Sequence, residues 1–319
     1  RVLYREDLVP PPRWPGDHAG PEEWERSPGD EEEFLGMLGE AEVLYDFPRG
    51  HLEDLVRVAP NLRWVQGSMA GAGEMAEKAG LGETEVVVTT ASGIYSGPLA
   101  EFVLMAMLQH VKGLDDLRRD KAEKVWRQGA VGGLERKTLC VVGVGSIGQA
   151  IATRARAFGM RVVGVKRKVS AEDEAWQYAD ELYPTAELHE ALGEADFVAV
   201  TLPGTPQTHH LLDEDAFAAV RRGAYFVNVG RGRVVDEAAL VRALENGQLS
   251  GAALDVFEVE PLPRESPLWE LDNVIISAHT TDVVPDLINS AQTDLFCENL
   301  RRYLAGEALI NVLDKRLMY

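Results

Sequence analysis

The chain has 319 residues, 45% hydrophobic and 26% charged, with a formal net charge of −20. That length exceeds the roughly 100–200 residues of one domain, so two domains are expected, each with material for its own core. So acidic a surface repels nucleic acid and anionic lipid, and neither is expected as a partner.

The acidic residues are densest over residues 22–33. Two readings stand: a solvated soluble surface, or adaptation to high salt. No apolar run reaches the roughly 18 residues of a membrane span. The opening residues, RVLYREDLVPPPRWPGD, lack a signal-peptide core. Cys140 and Cys297 show no disulfide framework and no metal-ligand spacing. A cytoplasmic location and no metal site are therefore expected. The sequence begins at Arg1 and leaves a targeting segment upstream open.

Along the chain, short β-rich runs alternate with helical patterns. Residues 2–4, 43–45, 64–66 and 86–89 read as strands, with helices over 31–38 and 52–58. Such alternation predicts a parallel sheet covered by helices. Pro98 opens the apolar segment LAEFVLMAMLQHVKGLDDLRRD, read as one helix of about five turns with a core-facing stripe. It is also a candidate linker helix and part of a dimer interface. A second α/β series begins at Thr138. Strands are expected at 139–142, 161–165, 197–200, 225–228, 251–255 and 274–277, with helices at 148–158, 236–245 and a turn-rich stretch at 211–219. Six strands with crossover helices suit a doubly wound dinucleotide-binding domain. A last helix near 286–304 is expected to return to the first domain. The predicted fold is α/β with two doubly wound parallel-sheet domains. A Rossmann domain, residues 98–285, is inserted in a discontinuous flavodoxin-like substrate domain, residues 1–97 plus 286–319.

The stretch LCVVGVGSIGQAIATRARAFGMRVVGVKRK carries G-x-G-x-x-G at Gly143, Gly145 and Gly148. An apolar strand leads in, an amphipathic helix leads out and a second strand follows, which makes the motif specific. Gly143 permits the tight turn, Gly145 lets the backbone approach a pyrophosphate, and Gly148 packs helix on strand. Ser146 and Ile147 stand at the helix start, which faces the phosphates. At the end of the second strand an NAD site wants a carboxylate for the ribose hydroxyls. Here stand Lys166, Arg167 and Lys168. Basic groups bind a 2′-phosphate, Arg167 best through its fork. NADPH is therefore the expected cofactor, with NAD possible; a solvated basic turn indifferent to the cofactor is the bland alternative.

Three residues downstream complete a chemistry. Arg231 can grip a carboxylate with two parallel hydrogen bonds. His279 can give or take a proton near neutral pH. Glu260, paired with that histidine, fixes its tautomer and favours its charged form. Together they suit reduction of a 2-keto acid, although each alone has an ordinary surface reading.

The glycine loop, VNVGRGRVVDEAAL (227–240), GAALDVFEVEPLP (251–263), SPLW (266–269) and NVIISAH (273–279) resemble the D-isomer-specific 2-hydroxyacid dehydrogenases. The resemblance covers nearly the whole chain and is most specific from 138 to 279. Within the family it is most similar to the glyoxylate/hydroxypyruvate reductase branch. It implies that Arg231 binds the substrate carboxylate and keto oxygen, that His279 protonates the carbonyl oxygen, and that Glu260 raises the pKa of His279. It also implies substrate contacts from the loop Ser68, Met69, Ala70 and Gly71, with Ile94 and Tyr95 near the pocket. Val229, Gly230 and Asp255 match positions lining the nicotinamide side. Leu202, Pro203 and Thr208 match the loop under adenine and ribose. A small 2-keto or 2-hydroxy acid and a second copy of the chain are the implied partners.

Thr280, Thr281 and Asp282 depart from the small glycine-rich residues the family often carries after the histidine. Glu260 argues against the formate-dehydrogenase branch, whose pattern has Gln. The chain stops at Tyr319, short of the regulatory domain of many phosphoglycerate dehydrogenases. The alternative function is a nucleotide-sensing interaction protein of corepressor type on the same fold.

Overall fold

The alternating apolar runs and helices become two parallel sheets in the computed structural model, which describes residues 1–14, 17, 20–21 and 23–317. The chain divides into two units, Arg1–Tyr95 with Val283–Tyr319, and Ser96–Asp282.

In the first unit, helix α1 spans Pro28–Glu40. It starts there because the Ser27 hydroxyl accepts from the Asp30 amide at 3.3 Å and a proline occupies the first turn. Strand β1 (Val43–Tyr45), helix α2 (Leu55–Val58), strand β2 (Trp64–Gln66), helix α3 (Gly73–Lys78) and strand β3 (Val87–Thr89) follow. The strands pair in parallel in the order β1-β2-β3. Leu38, Leu55, Val65, Leu81 and Val88 form the core beneath them. Residues 2–4, expected as a strand, join no ladder among the described residues: Val2 is 89% exposed and Tyr4 70%. A three-residue apolar run does not make a strand unless a partner strand covers it.

The second unit opens with α4 (Ser96–Lys112) and α5 (Leu114–Glu123). The expected single helix is broken at Gly113, whose φ of 60° ends one helix and starts the next. Then come β4 (Thr138–Val142), α6 (Ser146–Ala157), β5 (Arg161–Lys166), β6 (Glu181–Pro184), α7 (Leu188–Gly193), β7 (Phe197–Val200) and α8 (Glu214–Ala219). Strand β8 (Ala224–Asn228), helix α9 (Glu237–Glu245) and strands β9 (Leu249–Leu254) and β10 (Val274–Ile276) complete the unit. The seven strands are all parallel, in the order β10-β9-β8-β7-β4-β5-β6. The sequence pattern predicts only six. The seventh, β6, carries Glu181 and Pro184, which dilute its apolar pattern, and as an edge strand it tolerates proline. The chain direction across the sheet reverses between β4 and β7, the switch point beside which doubly wound sheets bind ligands. Cys140 is buried in this core, and burial pushes its thiol up to about 12.

Helix α10 (Pro285–Ala305) belongs to the first unit. Phe296 and Tyr303 stack on the buried Trp64 ring at centroid distances of 5.6 and 5.5 Å. The Asn299 side-chain amide donates to Gln66 Oε1 at 3.0 Å. Gln66 Oε1 also accepts from Thr89 Oγ1, which in turn accepts from Trp64 Nε1. These buried polar groups are satisfied across β2, β3 and α10, so they hold the helix in register.

Candidate active site

At the carboxyl end of β4 the glycine loop closes on itself. Gly143 has φ 107°, and a Cβ on Gly148 would lie 2.1 Å from the Gly143 carbonyl oxygen, so only hydrogen fits there. The Thr201 hydroxyl donates to the Gly143 oxygen at 2.6 Å and ties the end of β7 to the loop. At Gly145, by contrast, a Cβ would meet nothing within 4 Å. Gly145 also caps α6 without a side-chain hydrogen bond, so the amides of Ser146 and Ile147 open the helix uncapped.

Leu202 follows β7 and lies between two backbones. A Cβ on Gly143 would meet its side chain at 3.0 Å, and one on Gly230 would meet its backbone at 2.7 Å. Thr208 closes the same loop by donating to the Pro203 oxygen at 2.7 Å. Lys166, at the end of β5, holds Asp173 at 2.5 and 2.7 Å, and this pairing keeps the Asp173 carboxyl below its ordinary range. The structure therefore divides the basic run: Lys166 is half-buried against Asp173, while Arg167 and Lys168 are exposed.

The candidate proton-transfer corner lies at the ends of β8, β9 and β10. Arg231 follows Val229 and Gly230 in the turn after β8. Buried Asn228 staples that turn: its side chain accepts from the Gly230 amide at 3.0 Å and donates to the Arg231 oxygen at 3.2 Å. Gly232 lies so tightly on the next crossing that a Cβ would come within 1.8 Å of the Phe257 backbone. Phe257 in turn donates its amide to Glu260 Oε1 at 3.0 Å. The other carboxylate oxygen, Oε2, lies 2.8 Å from His279 Nδ1. A carboxylate can only accept, so Nδ1 carries the proton and Nε2 is left for another partner. His279 adopts φ 55°, a backbone state uncommon outside glycine and one that concentrates at functional positions.

The electrostatics follow from this geometry. The Glu260 hydrogen bond holds the His279 imidazole above its ordinary value, against burial and the nearby Arg231 charge. Burial pushes the Glu260 carboxyl up, but the bonds from His279 and the Phe257 amide outweigh it and leave it low. Burial and the neighbouring Asp255 raise Asp282. Asp255, 1% exposed, accepts from the Thr280 and Thr281 amides at 3.1 and 3.3 Å and so anchors the histidine loop.

In the first unit, Met69, Ala70 and Gly71 form the turn between β2 and α3, and Met69 is 39% exposed. The Tyr95 hydroxyl donates to the Ser68 oxygen at 2.5 Å and accepts from Gln292 Nε2 at 2.7 Å. Tyr95 thus braces the turn from below, as does Asp46, which accepts from the Ser68 hydroxyl at 2.5 Å.

Comparison with known proteins gives the family. The family described as D-isomer specific 2-hydroxyacid dehydrogenase, NAD binding domain, matches residues 104–281. The chain is 33% identical over 271 residues to a glyoxylate reductase of Korarchaeum cryptofilum, covering 83% of this chain and 80% of that one. The chain belongs to the D-isomer-specific 2-hydroxyacid dehydrogenase family. A D-isomer specific 2-hydroxyacid dehydrogenase from Xanthobacter autotrophicus, solved with NADPH and MES, has TM-score 0.77 and 33% identity, covering 88% of this chain and 86% of that one. An NADPH-dependent glyoxylate/hydroxypyruvate reductase from Sinorhizobium meliloti, solved with NADP and sulfate, has TM-score 0.75 and 28% identity, covering 88% of each chain. A D-3-phosphoglycerate dehydrogenase of Methanocaldococcus jannaschii is 31% identical over 89% of this chain, which spans 53% of that relative's length.

The protein is thus an NAD(P)-dependent 2-hydroxyacid dehydrogenase, and its glycine loop fits such a cofactor. The uncapped α6 amides and the open space over Gly145 suit a pyrophosphate. The hydroxyl of Thr281 is buried without a hydrogen-bond partner beside the anchored histidine loop, a polar atom that a bound group would satisfy.

Sequence reasoning missed Asn228, whose buried amide shapes the Arg231 turn, and the anchoring role of Asp255. It also missed a cluster away from this corner. Among the described residues, His209, His210 and Glu258 bring their ligand atoms within 4.8 Å of one another. The adjacent histidines were the visible signal, but Glu258 lies 48 residues further on. No helix among the described residues is long and apolar enough to cross a membrane.

Proposed function

We propose that this dehydrogenase reduces a small 2-keto acid, glyoxylate or hydroxypyruvate or a close analogue, to the D-2-hydroxy acid with NADPH preferred. The observation that carries the reading is the His279 Nδ1–Glu260 Oε2 bond of 2.8 Å, placed by the Gly232–Phe257 contact beside Arg231. The names of the relatives support the substrate class, and the exposed Arg167 and Lys168 support NADPH. Lys166 contributes less than a run of three bases implies, because Asp173 holds its ammonium.

The bound dinucleotide supplies the hydride that reaches the keto carbon. Gly143, Gly145, Ser146, Ile147 and Gly148 would hold its phosphates. Leu202, Pro203 and Thr208 would flank adenine and ribose, and Val229, Gly230 and Asp255 the nicotinamide side. Arg231 binds the substrate carboxylate through its fork and keeps the carbonyl oxygen polarised. His279 gives the proton on Nε2 to the carbonyl oxygen as negative charge develops there. Glu260 keeps the imidazole cationic until that transfer and takes no proton itself. In the first unit, the family resemblance assigns the backbone amides of Met69, Ala70 and Gly71 to substrate, and Tyr95 supports that turn. A homodimer belongs to this reading: Trp126, 91% exposed, and Val131, 63%, offer apolar surface for a second copy to cover.

Following NADPH and NADH absorbance over a panel of 2-keto acids tests the proposal. Turnover with glyoxylate or hydroxypyruvate is expected, faster with NADPH. Arg167→Ala is expected to weaken NADPH by about tenfold, the worth of one charge-assisted hydrogen bond, and to spare NADH. Absence of turnover across the panel would refute the function, and equal loss for both cofactors would refute the role of Arg167.

A further inference from the structure

We propose that His209, His210 and Glu258 form a binding site for one divalent transition-metal ion of the zinc class, separate from the His279 corner. Their ligand atoms lie within 4.8 Å of one another, and among the described residues they are the only such group of three. Bonding distances of about 2.0–2.2 Å to a common ion require only small rotations of exposed or half-buried side chains. Two imidazoles and one carboxylate are the donors that zinc, cobalt and nickel favour, whereas magnesium and calcium prefer oxygen alone.

Three further observations support the site. First, the ligands are held from behind. The His210 amide donates to the Arg233 oxygen at 2.9 Å, and the Glu258 amide donates to Glu237 Oε2 at 2.8 Å. Both positions are therefore fixed by the backbone, leaving their side chains to converge. Second, His210 adopts φ 49°, a backbone state that a β-carbon disfavours and that aims its ring at Glu258, 2.6 Å from Nε2. The His209 ring stacks on the His210 ring at a centroid distance of 4.0 Å, so two imidazoles share one small volume. A plain surface ion pair needs neither the second ring nor the left-handed backbone. Third, both histidines edge a groove of about 520 Å³ that is also lined by Glu187, His189, Glu190 and Asp213. These carboxylates lower the potential there and concentrate cations before they bind.

Such an ion would join the loop after β7 to the loop after β9. It would stabilise the folded chain by an amount that grows with the logarithm of the free-ion concentration above Kd, because the unfolded chain offers no preformed site. Binding requires neutral imidazoles, so uptake weakens as the pH falls and releases protons.

Isothermal titration of the untagged full chain with zinc chloride, with magnesium chloride as control, tests the assignment. One zinc ion per chain is expected, with a raised melting temperature and no response to magnesium. His209→Ala, His210→Ala and Glu258→Gln are each expected to weaken zinc at least tenfold. Melting without metal verifies that each variant is folded. No saturable binding would overturn the proposal, as would binding that His210→Ala and Glu258→Gln leave unchanged. Zinc lost in His189→Ala but retained in those two variants would move the ion into the groove and equally overturn it.

Discussion

Two histidine–glutamate pairs of the second unit share their parts and differ in their surroundings. His279 and His210 both have left-handed backbone, at φ 55° and 49°. Their carboxylate partners, Glu260 and Glu258, are two residues apart on one turn, and the bonds are 2.8 and 2.6 Å. The difference lies in the ring atom engaged and in the surroundings. Glu260 takes Nδ1 of His279 and leaves Nε2 without that partner, with the Arg231 charge near enough to oppose the imidazolium. Glu258 takes Nε2 of His210, with a second imidazole alongside. In the roles proposed above, one pair serves as proton donor where the Arg231 charge stands nearby, and the other as part of a ligand set where a second imidazole does. Identity of side chains does not separate the two roles; placement does.

The largest expected effect tests that contrast at its strongest point. His279→Ala is expected to lower kcat for keto-acid reduction by about 10²–10⁴, the usual worth of a positioned general acid, with NADPH binding intact in a fluorescence titration. A comparable fall in His210→Ala would erase the distinction between the pairs.

Arg231→Ala comes next. Loss of a bidentate carboxylate contact is expected to reduce kcat/KM by about 10- to 100-fold, mostly through KM. It should also move the pH profile. Arg231 opposes the charge on His279, so its removal raises the histidine's pKa, and reduction persists to higher pH. A profile that stays in place would separate the arginine from the histidine.

Glu260→Gln shifts the profile the other way. The carboxylate holds the imidazole above its ordinary value, so the protonated donor persists below that raised pKa and is lost as pH rises through it. Removing the carboxylate lowers the pKa, and the alkaline limb of the reduction profile moves to lower pH. The same displacement in Glu258→Gln would show that the two carboxylates act as one field rather than as two pairs.

Much of this is legible in the sequence. The glycine loop is readable because β4 before it and α6 after it are both strongly patterned, and Arg231, Glu260 and His279 each stand in a distinctive local string. What the sequence conceals has a physical cause in each case. Residues 2–4 look like a strand, but pairing is a tertiary event, and among the described residues no strand pairs with them. Strand β6 is legible only as an edge, because Glu181 and Pro184 break its pattern. Gly113 splits one apolar stripe into two helices, since the stripe records burial and not continuity. Lys166 reads as part of a basic run until Asp173 is seen to hold it. His209 and His210 need Glu258 to become a cluster, and sequence distance conceals that meeting.

The contact at Gly232 carries a consequence for how such a site can change. The separation between the guanidinium turn and the glutamate turn is set where main chain meets main chain, with room for a hydrogen atom and nothing larger. Substitutions at neighbouring side chains leave that main-chain spacing in place, whereas a β-carbon at Gly232 would force it open.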